Sequence, residues 1–208
     1  MSYSSGMEVV AESAGAIRER IWASLMRARV AVYPLPCRGH HPNFRGAGVA
    51  AAKLASYLLA DGWLSPGDTV LSYPDYVLRP LRRELLKSGV SVVVPSQYRR
   101  HWLLLQPDLV EAKQAATIRG AERQGQALTE LPPVRLALVA CVAFDLAGRA
   151  LDKGYGFKLP AIKVPTVALA HPLQQVEAVS EANLHLNLVA TPEKVCNLAS
   201  SGASPVVA

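Results

Sequence analysis

Residues 139–157 read VACVAFDLAGRALDKGYGF, and the order of parts within this stretch is informative. An apolar run stops at Asp145, a glycine turn follows, and a basic glycine loop with Lys153, Gly154 and Gly156 comes directly after. A buried strand that delivers a flexible cationic loop is how many α/β proteins hold a phosphate. Glycines expose backbone N–H groups, and a lysine supplies the charge. An ordinary hairpin turn with an exposed lysine fits the same spacing equally well.

Upstream of this stretch, Ile17, Ile21 and Leu25 recur at helical spacing with arginines between them, which predicts an amphipathic first helix. A loop dense in proline, glycine and histidine follows (33–48), then an alanine-rich helix ended by Gly62. From there strands and helices alternate. Strands are expected over 69–73, 90–95, 102–105, 136–144, 166–170 and 186–190, with helices over 78–88, over 109–125 capped by Asp108, and over 192–198. This alternation predicts one α/β domain over 7–199, a three-layer sandwich around a mainly parallel sheet, with flexible ends at 1–6 and 200–208. Ligands of such sheets sit beyond the carboxyl ends of the strands. That rule singles out Tyr73–Asp75, Pro95–Arg100, Asp145–Phe157 and His171.

Composition sets the outer bounds. With 208 residues, half of them apolar and 18% charged, the chain suits a folded protein with one sizeable core. No apolar run approaches the ~20 residues that span a bilayer, and the first residues lack the pattern of a secretory signal. A cytoplasmic monomer that does not engage membranes is expected. Cys37, Cys141 and Cys196 are odd in number and far apart, so neither a disulfide nor a metal site is predicted. The net charge of +6 allows a polyanionic ligand or a nucleic acid, and equally an arginine-rich solvated surface.

Other motifs are less telling. Gly46–Ala51 fits a loose dinucleotide fingerprint, but no apolar strand precedes it, so Gly46 and Gly48 are read as the entry to the second helix. His40 and His41 have no ligand-spaced partner and read as a polar loop. His171 ends a strand, where a structural role is the commoner one. The run Arg99-Arg100-His101-Trp102 joins charge to an aromatic ring. Arg100 and Trp102 would hold a carboxylate and stack a pterin or a base, unless the run is a surface cluster.

At the glycine loop the chain resembles the 5-formyltetrahydrofolate cyclo-ligase family, the methenyltetrahydrofolate synthetases. Val142-Ala143-Phe144-Asp145, Gly148-Arg149-Ala150-Leu151 and Lys153-Gly154-Tyr155-Gly156-Phe157 follow the order of that family's strand, turn and loop. Ile17-Arg18 is similar to its N-terminal basic helix. Pro42-Asn43-Phe44-Arg45-Gly46-Ala47, Pro74-Asp75, Pro95 and Thr191-Pro192 are similar to a branch of domain-containing relatives. The resemblance implies that ATP, with Mg²⁺, and a reduced folate meet at the strand ends. In that family ATP phosphorylates the formyl oxygen of 5-formyltetrahydrofolate, a ring nitrogen attacks, and loss of phosphate leaves 5,10-methenyltetrahydrofolate. Lys153 is then the catalytic residue. Arg18, Arg149, Lys153, Gly154, Tyr155, Gly156 and Phe157 hold the nucleotide, and Tyr73, Arg100 and Trp102 hold the folate. The pattern departs from the family at Lys158-Leu159, where a tyrosine and a metal-side aspartate are usual, and near Leu78, where a folate-gripping glutamate is usual. These departures keep a second reading open: a non-catalytic relative that binds a nucleotide or RNA.

Overall fold

The computed structural model describes residues 12–198. The expected flexible ends, and the domain margins at 7–11 and 199, lie outside the described residues. Helix α1 (Ala14–Arg27) starts where the Ser13 hydroxyl accepts the Ala16 N–H, and it buries Ile17, Ile21 and Leu25 along one face. The proline-rich loop after it contains a small antiparallel pair, β1 (Ala31–Val32) and β2 (Asn43–Phe44). Helix α2 (Ala47–Ala60) follows, with Gly46 as its N-cap and Gly48 already inside its first turn. Then come β3 (Thr69–Ser72), α3 (Arg79–Lys87), β4 (Ser91–Pro95) and β5 (Trp102–Leu105).

The segment expected to form one helix after Asp108 instead forms two short ones, α4 (Ala112–Ala115) and α5 (Ile118–Gln124), followed by β6 (Gln126–Leu128). Side-chain competition causes the break. The Glu111 carboxylate caps α4, and the Thr117 hydroxyl accepts the Gly120 N–H to start α5 afresh. The remaining strands are β7 (Ala137–Val139), β8 (Ala143–Phe144), β9 (Arg149–Leu151), β10 (Thr166–Leu169), β11 (Leu184–His185), β12 (Leu188–Ala190) and β13 (Val195–Asn197). A final helix over 192–198 is not formed. The Thr191 hydroxyl accepts the Glu193 and Lys194 N–H groups in a tight turn, and β13 returns antiparallel along β12.

The main sheet has the order β13-β12-β10-β7-β3-β4-β5-β6. Its central strands β12, β10, β7, β3 and β4 run parallel; β13 pairs antiparallel with β12, and β5 pairs antiparallel with both β4 and β6. Every residue of β7 and β10 is buried, as a strand covered on both faces requires. The fold is thus the expected mixed α/β one with a large, mainly parallel sheet. No helix among the described residues is long and apolar enough to cross a membrane.

The expected strand 136–144 is divided. After Val139 the chain leaves the main sheet, and the Cys141 and Val142 carbonyls accept the buried Gln174 side-chain amide instead. Strands β8, β9 and β11 form a separate three-stranded sheet. It shares a second core with α1, in which Ile17, Ile21, Leu25, Val142, Leu151 and Val179 meet. The glycine loop therefore leaves this small sheet, which packs with α1, and does not continue a strand of the main one.

Candidate functional site

Asp145 closes the β8–β9 hairpin. Its buried carboxylate accepts the Ala147, Arg149 and Val179 N–H groups and the Arg149 Nε–H at 2.8–3.0 Å. Arg149 is thereby bound to its own turn, with its side chain half exposed. Gly148 completes the turn at φ +81°, and a Cβ there would lie 2.6 Å from the Leu186 carbonyl oxygen. Gly148→Ala is expected to lower the unfolding free energy by about 1–3 kcal/mol. An unchanged urea midpoint would show that the hairpin relaxes freely.

Asp152 organises the loop itself. Its Oδ1 accepts the Gly154 N–H at 2.6 Å and the Asn183 amide at 2.7 Å, and its Oδ2 accepts the Lys158 ammonium at 2.5 Å. Its backbone N–H donates to Asn183 Oδ1, while Arg18 Nε–H donates to the Asp152 carbonyl at 2.6 Å. Burial pulls the Asp152 carboxyl upward, but the bonds from Lys158, Asn183 and Gly154 outweigh it and hold the group below the usual carboxylate range. The Gly154 N–H is therefore engaged within the loop. The carboxylate accepts it in an Asx-type turn, which a Asp-x-Gly sequence favours. Among the described residues no acceptor meets the N–H groups of Tyr155 and Gly156, which are thus two of the loop's open backbone donors.

Lys153 is held from two sides. Its Nζ lies 3.9 Å from Asp75 Oδ1 and 5.2 Å from the centre of the Tyr155 ring. Its backbone N–H donates to His41 Nε2 at 3.2 Å, while His41 Nδ1 meets Asp75 Oδ1 at 2.9 Å. An Nε2 that accepts must be unprotonated, so this geometry assigns His41 the neutral tautomer with its proton on Nδ1, facing Asp75. Burial raises the Asp75 carboxyl, yet the His41 hydrogen bond and the charges of Lys153 and Arg82 leave it lowered overall. Tyr155 donates its hydroxyl to the Gly39 carbonyl, and Arg99 donates to the Gly156 carbonyl at 3.0 Å, pinning the loop's tip.

An apolar wall stands beside these charges. Ser72 turns its hydroxyl to Arg82 of α3, so by the alternation of the pleat Tyr73 points to the opposite face. There Tyr73 meets Phe157 edge to face, with centroids 5.0 Å apart, and Trp102 meets Phe157 at 6.1 Å. Burial pushes the Tyr73 hydroxyl up to about 12. Arg100, Trp102 and Phe157 line a cavity of about 290 Å³. Tyr73, Asp152, Lys158 and Asn183 line another of about 350 Å³.

The sequence-predicted residues Arg18, Tyr73, Arg100, Trp102, Lys153, Tyr155, Gly156 and Phe157 thus gather around one loop. His171 does not join them: its ring accepts the Leu173 N–H and caps a short turn. Burial pushes the Cys141 thiol up to about 12, which suits a core residue. Sequence reasoning gave no site role to Asp152, His41, Lys158 or Asn183. The Asp152-x-Gly154 spacing was the one available signal; nothing local marks Asn183.

The described residues do not make a magnesium cage. Magnesium usually takes one or two free carboxylates besides phosphate oxygens. Here the Asp152 oxygens are filled by internal donors, Asp75 faces His41 and Lys153, and no group of three potential ligands exists among the described residues.

The chain is thus a mixed α/β protein whose lysine-bearing glycine loop, at one edge of a mainly parallel sheet, stands against an aromatic wall. The solution structure of the Aquifex aeolicus 5,10-methenyltetrahydrofolate synthetase superposes with a TM-score of 0.54 at 17% identity, over 92% of this chain and 96% of that one. The Mycoplasma pneumoniae 5,10-methenyltetrahydrofolate synthetase gives a TM-score of 0.47 at 12% identity, over 84% and 96% of the two chains. The eIF2B beta subunit from Chaetomium thermophilum gives 0.43 at 15% identity, over 72% and 53%. No protein-family model and no curated protein sequence matches the chain. The likeness to the Aquifex protein, which spans nearly all of both chains, is one of fold.

Proposed function

We propose that the protein is a cytoplasmic member of the cyclo-ligase family that uses ATP to convert 5-formyltetrahydrofolate to 5,10-methenyltetrahydrofolate. The observation that carries this reading is the loop 152–158. It holds the Lys153 ammonium and the Arg18 guanidinium beside two open N–H groups, next to the Tyr73–Phe157–Trp102 wall. Phosphoryl transfer needs positioning and charge neutralisation more than covalent chemistry. Lys153 and Arg18 supply positive charge to the transferred phosphoryl group, and the Tyr155 and Gly156 amides donate to its oxygens. Phe157 and Trp102 offer ring faces and edges to a pterin, Tyr73 backs them, and Arg100 offers a fork to the folate carboxylate. Any Mg²⁺ arrives on the nucleotide, and no step is assigned to it. Three free thiols suit a reducing compartment.

With ATP, Mg²⁺ and 5-formyltetrahydrofolate the purified protein is expected to develop the near-ultraviolet absorbance of the methenyl product. Lys153→Ala is expected to reduce kcat/KM by about 10²-fold, the scale for removing one transition-state donor. No absorbance change with the unaltered protein sinks the proposal. A second reading, nucleotide binding without turnover, is favoured by Lys158-Leu159: Leu159 stands in the usual place of the carboxylate, and Lys158 neutralises Asp152. It predicts a raised thermal midpoint with ATP and a flat absorbance trace.

A further inference from the structure

A second pocket, of about 480 Å³, lies between α3 and α5, and its lining includes Arg79, Arg82, Arg119 and Arg123 with Tyr33 and Tyr76. No acidic residue lines it. Among the described residues, Arg79, Arg119 and Arg123 form no ion pair, although eight other ion pairs are present. Like charges gathered in a concavity repel one another; Arg82 is lowered chiefly by burial, with Asp75 opposing that shift and Arg79 adding a smaller push in the same direction as burial. A surface of merely solvated arginines would spread them out or interleave carboxylates.

Arg82 is the informative member, because it is only 2% exposed. Its Nε and Nη1 are committed to the Ala116, Tyr73 and Asp75 carbonyls and the Ser72 hydroxyl. Nη2 has no acceptor among the described residues. No fully buried side-chain nitrogen or oxygen among them lacks a partner, so Nη2 is the atom the pocket reaches. The floor of the pocket is therefore a fixed, desolvated guanidinium N–H, and Arg79, Arg119 and Arg123 stand exposed at its rim. Guanidinium groups bind phosphate by paired N–H bonds, and four of them suit a ligand with several anionic groups. Tyr33 and Tyr76, edge to face at 4.9 Å and both exposed, add aromatic surface at the mouth.

We infer that this pocket binds a small oligophosphate, either inorganic or the tail of a nucleotide, at a site separate from the Lys153 loop. The two sites back onto each other through Tyr73–Asp75: Arg82 holds the Asp75 carbonyl, and the Asp75 carboxylate faces Lys153. Four arginines against one buried N–H favour a compact ligand over a nucleic-acid strand, which would need a longer basic track.

The test is calorimetric titration of inorganic tripolyphosphate and of ATP into two proteins. One carries Lys153→Ala, which removes one of the loop's two phosphate-facing cations and weakens that site. The other carries Lys153→Ala with Arg119→Gln and Arg123→Gln, exposed changes on α5 that leave the buried Arg82 in place. Folding of both is checked by circular dichroism. The first protein is expected to bind tripolyphosphate at one site, with affinity that falls as salt rises, and the second to bind at least tenfold more weakly. ATP binding more tightly than tripolyphosphate assigns the tyrosines to a nucleotide ring; equal or weaker ATP binding makes the inorganic chain the ligand. Equal affinity in the two proteins, or none in the first, overturns the inference. So does tighter binding of triglutamate, or binding of single-stranded RNA where tripolyphosphate does not bind.

Discussion

Arg82→Met is expected to lower the unfolding free energy by about 3–5 kcal/mol, the scale for breaking a buried charged network. The guanidinium reaches the Tyr73, Asp75 and Ala116 carbonyls and the Ser72 hydroxyl, drawing the end of β3 and the α4–α5 junction onto α3. Methionine restores much of the volume and none of the donors. Each carbonyl left dry costs about 1–3 kcal/mol, less whatever water can replace. Burial pushes the Arg82 guanidinium down to about 10, which still leaves it ionised at neutral pH. At about 2–4 °C per kcal/mol for a chain of this size, the thermal midpoint should drop by roughly 10 °C. Arg82→Lys should recover little, since one ammonium cannot span acceptors on both sides. A loss below about 1 kcal/mol in urea denaturation would mean that water enters and satisfies the carbonyls.

Asp152→Asn carries the second large effect, about 2–4 kcal/mol, because the group removed is a buried, charge-assisted acceptor. An asparagine keeps an oxygen for the Gly154 N–H, but its NH2 then faces the Lys158 ammonium, which loses its acceptor, and the negative charge beside Arg18 is gone. The sign of the pH dependence follows from the lowered Asp152 carboxyl. The unfolded chain binds this proton more readily, so the stabilisation is complete above the unfolded value of about 4 and is lost as pH falls through the lower folded value. Asp75 is shifted the same way for its own reasons and adds to the same acid limb. Urea midpoints measured from neutral pH downward should fall steeply for the unaltered protein and more shallowly for Asp152→Asn. Parallel curves would show that Asp152 is paired equally well when unfolded. If the proposed function holds, turnover should fall with the variant as well, since the loop that presents Lys153 is wound on Asp152.

How much of this was visible in the sequence depended on how local its cause was. The parallel core was legible because β3, β4, β7 and β10 are short apolar runs separated by helical spacing, and packing on both faces demands that pattern. The two short helices after Glu111 were hidden, since nothing in the periodicity reveals that the Thr117 hydroxyl would win the Gly120 N–H from the helix. The division of 136–144 depends on Gln174, whose buried amide takes two carbonyls that a sheet neighbour would otherwise hold. At the site, Lys153, Phe157 and Trp102 advertise themselves by residue type. His41 looked like loop polarity because its partners, Asp75 and the Lys153 N–H, are distant along the chain, and the same is true of Asn183 beside Asp152.

The His41 bridge also bears on the order in which the molecule can assemble. Its two ring nitrogens join the proline-rich loop to the end of β3, 34 residues away, and to the glycine loop, 112 residues away. No contiguous fragment shorter than that span contains all three partners. Bonds of such high contact order are closed after local structure has formed. The lysine's setting should thus be among the last parts of the domain to gain amide protection on refolding, and a chain interrupted between His41 and Lys153 would acquire helices and strands well before it acquired an ordered glycine loop.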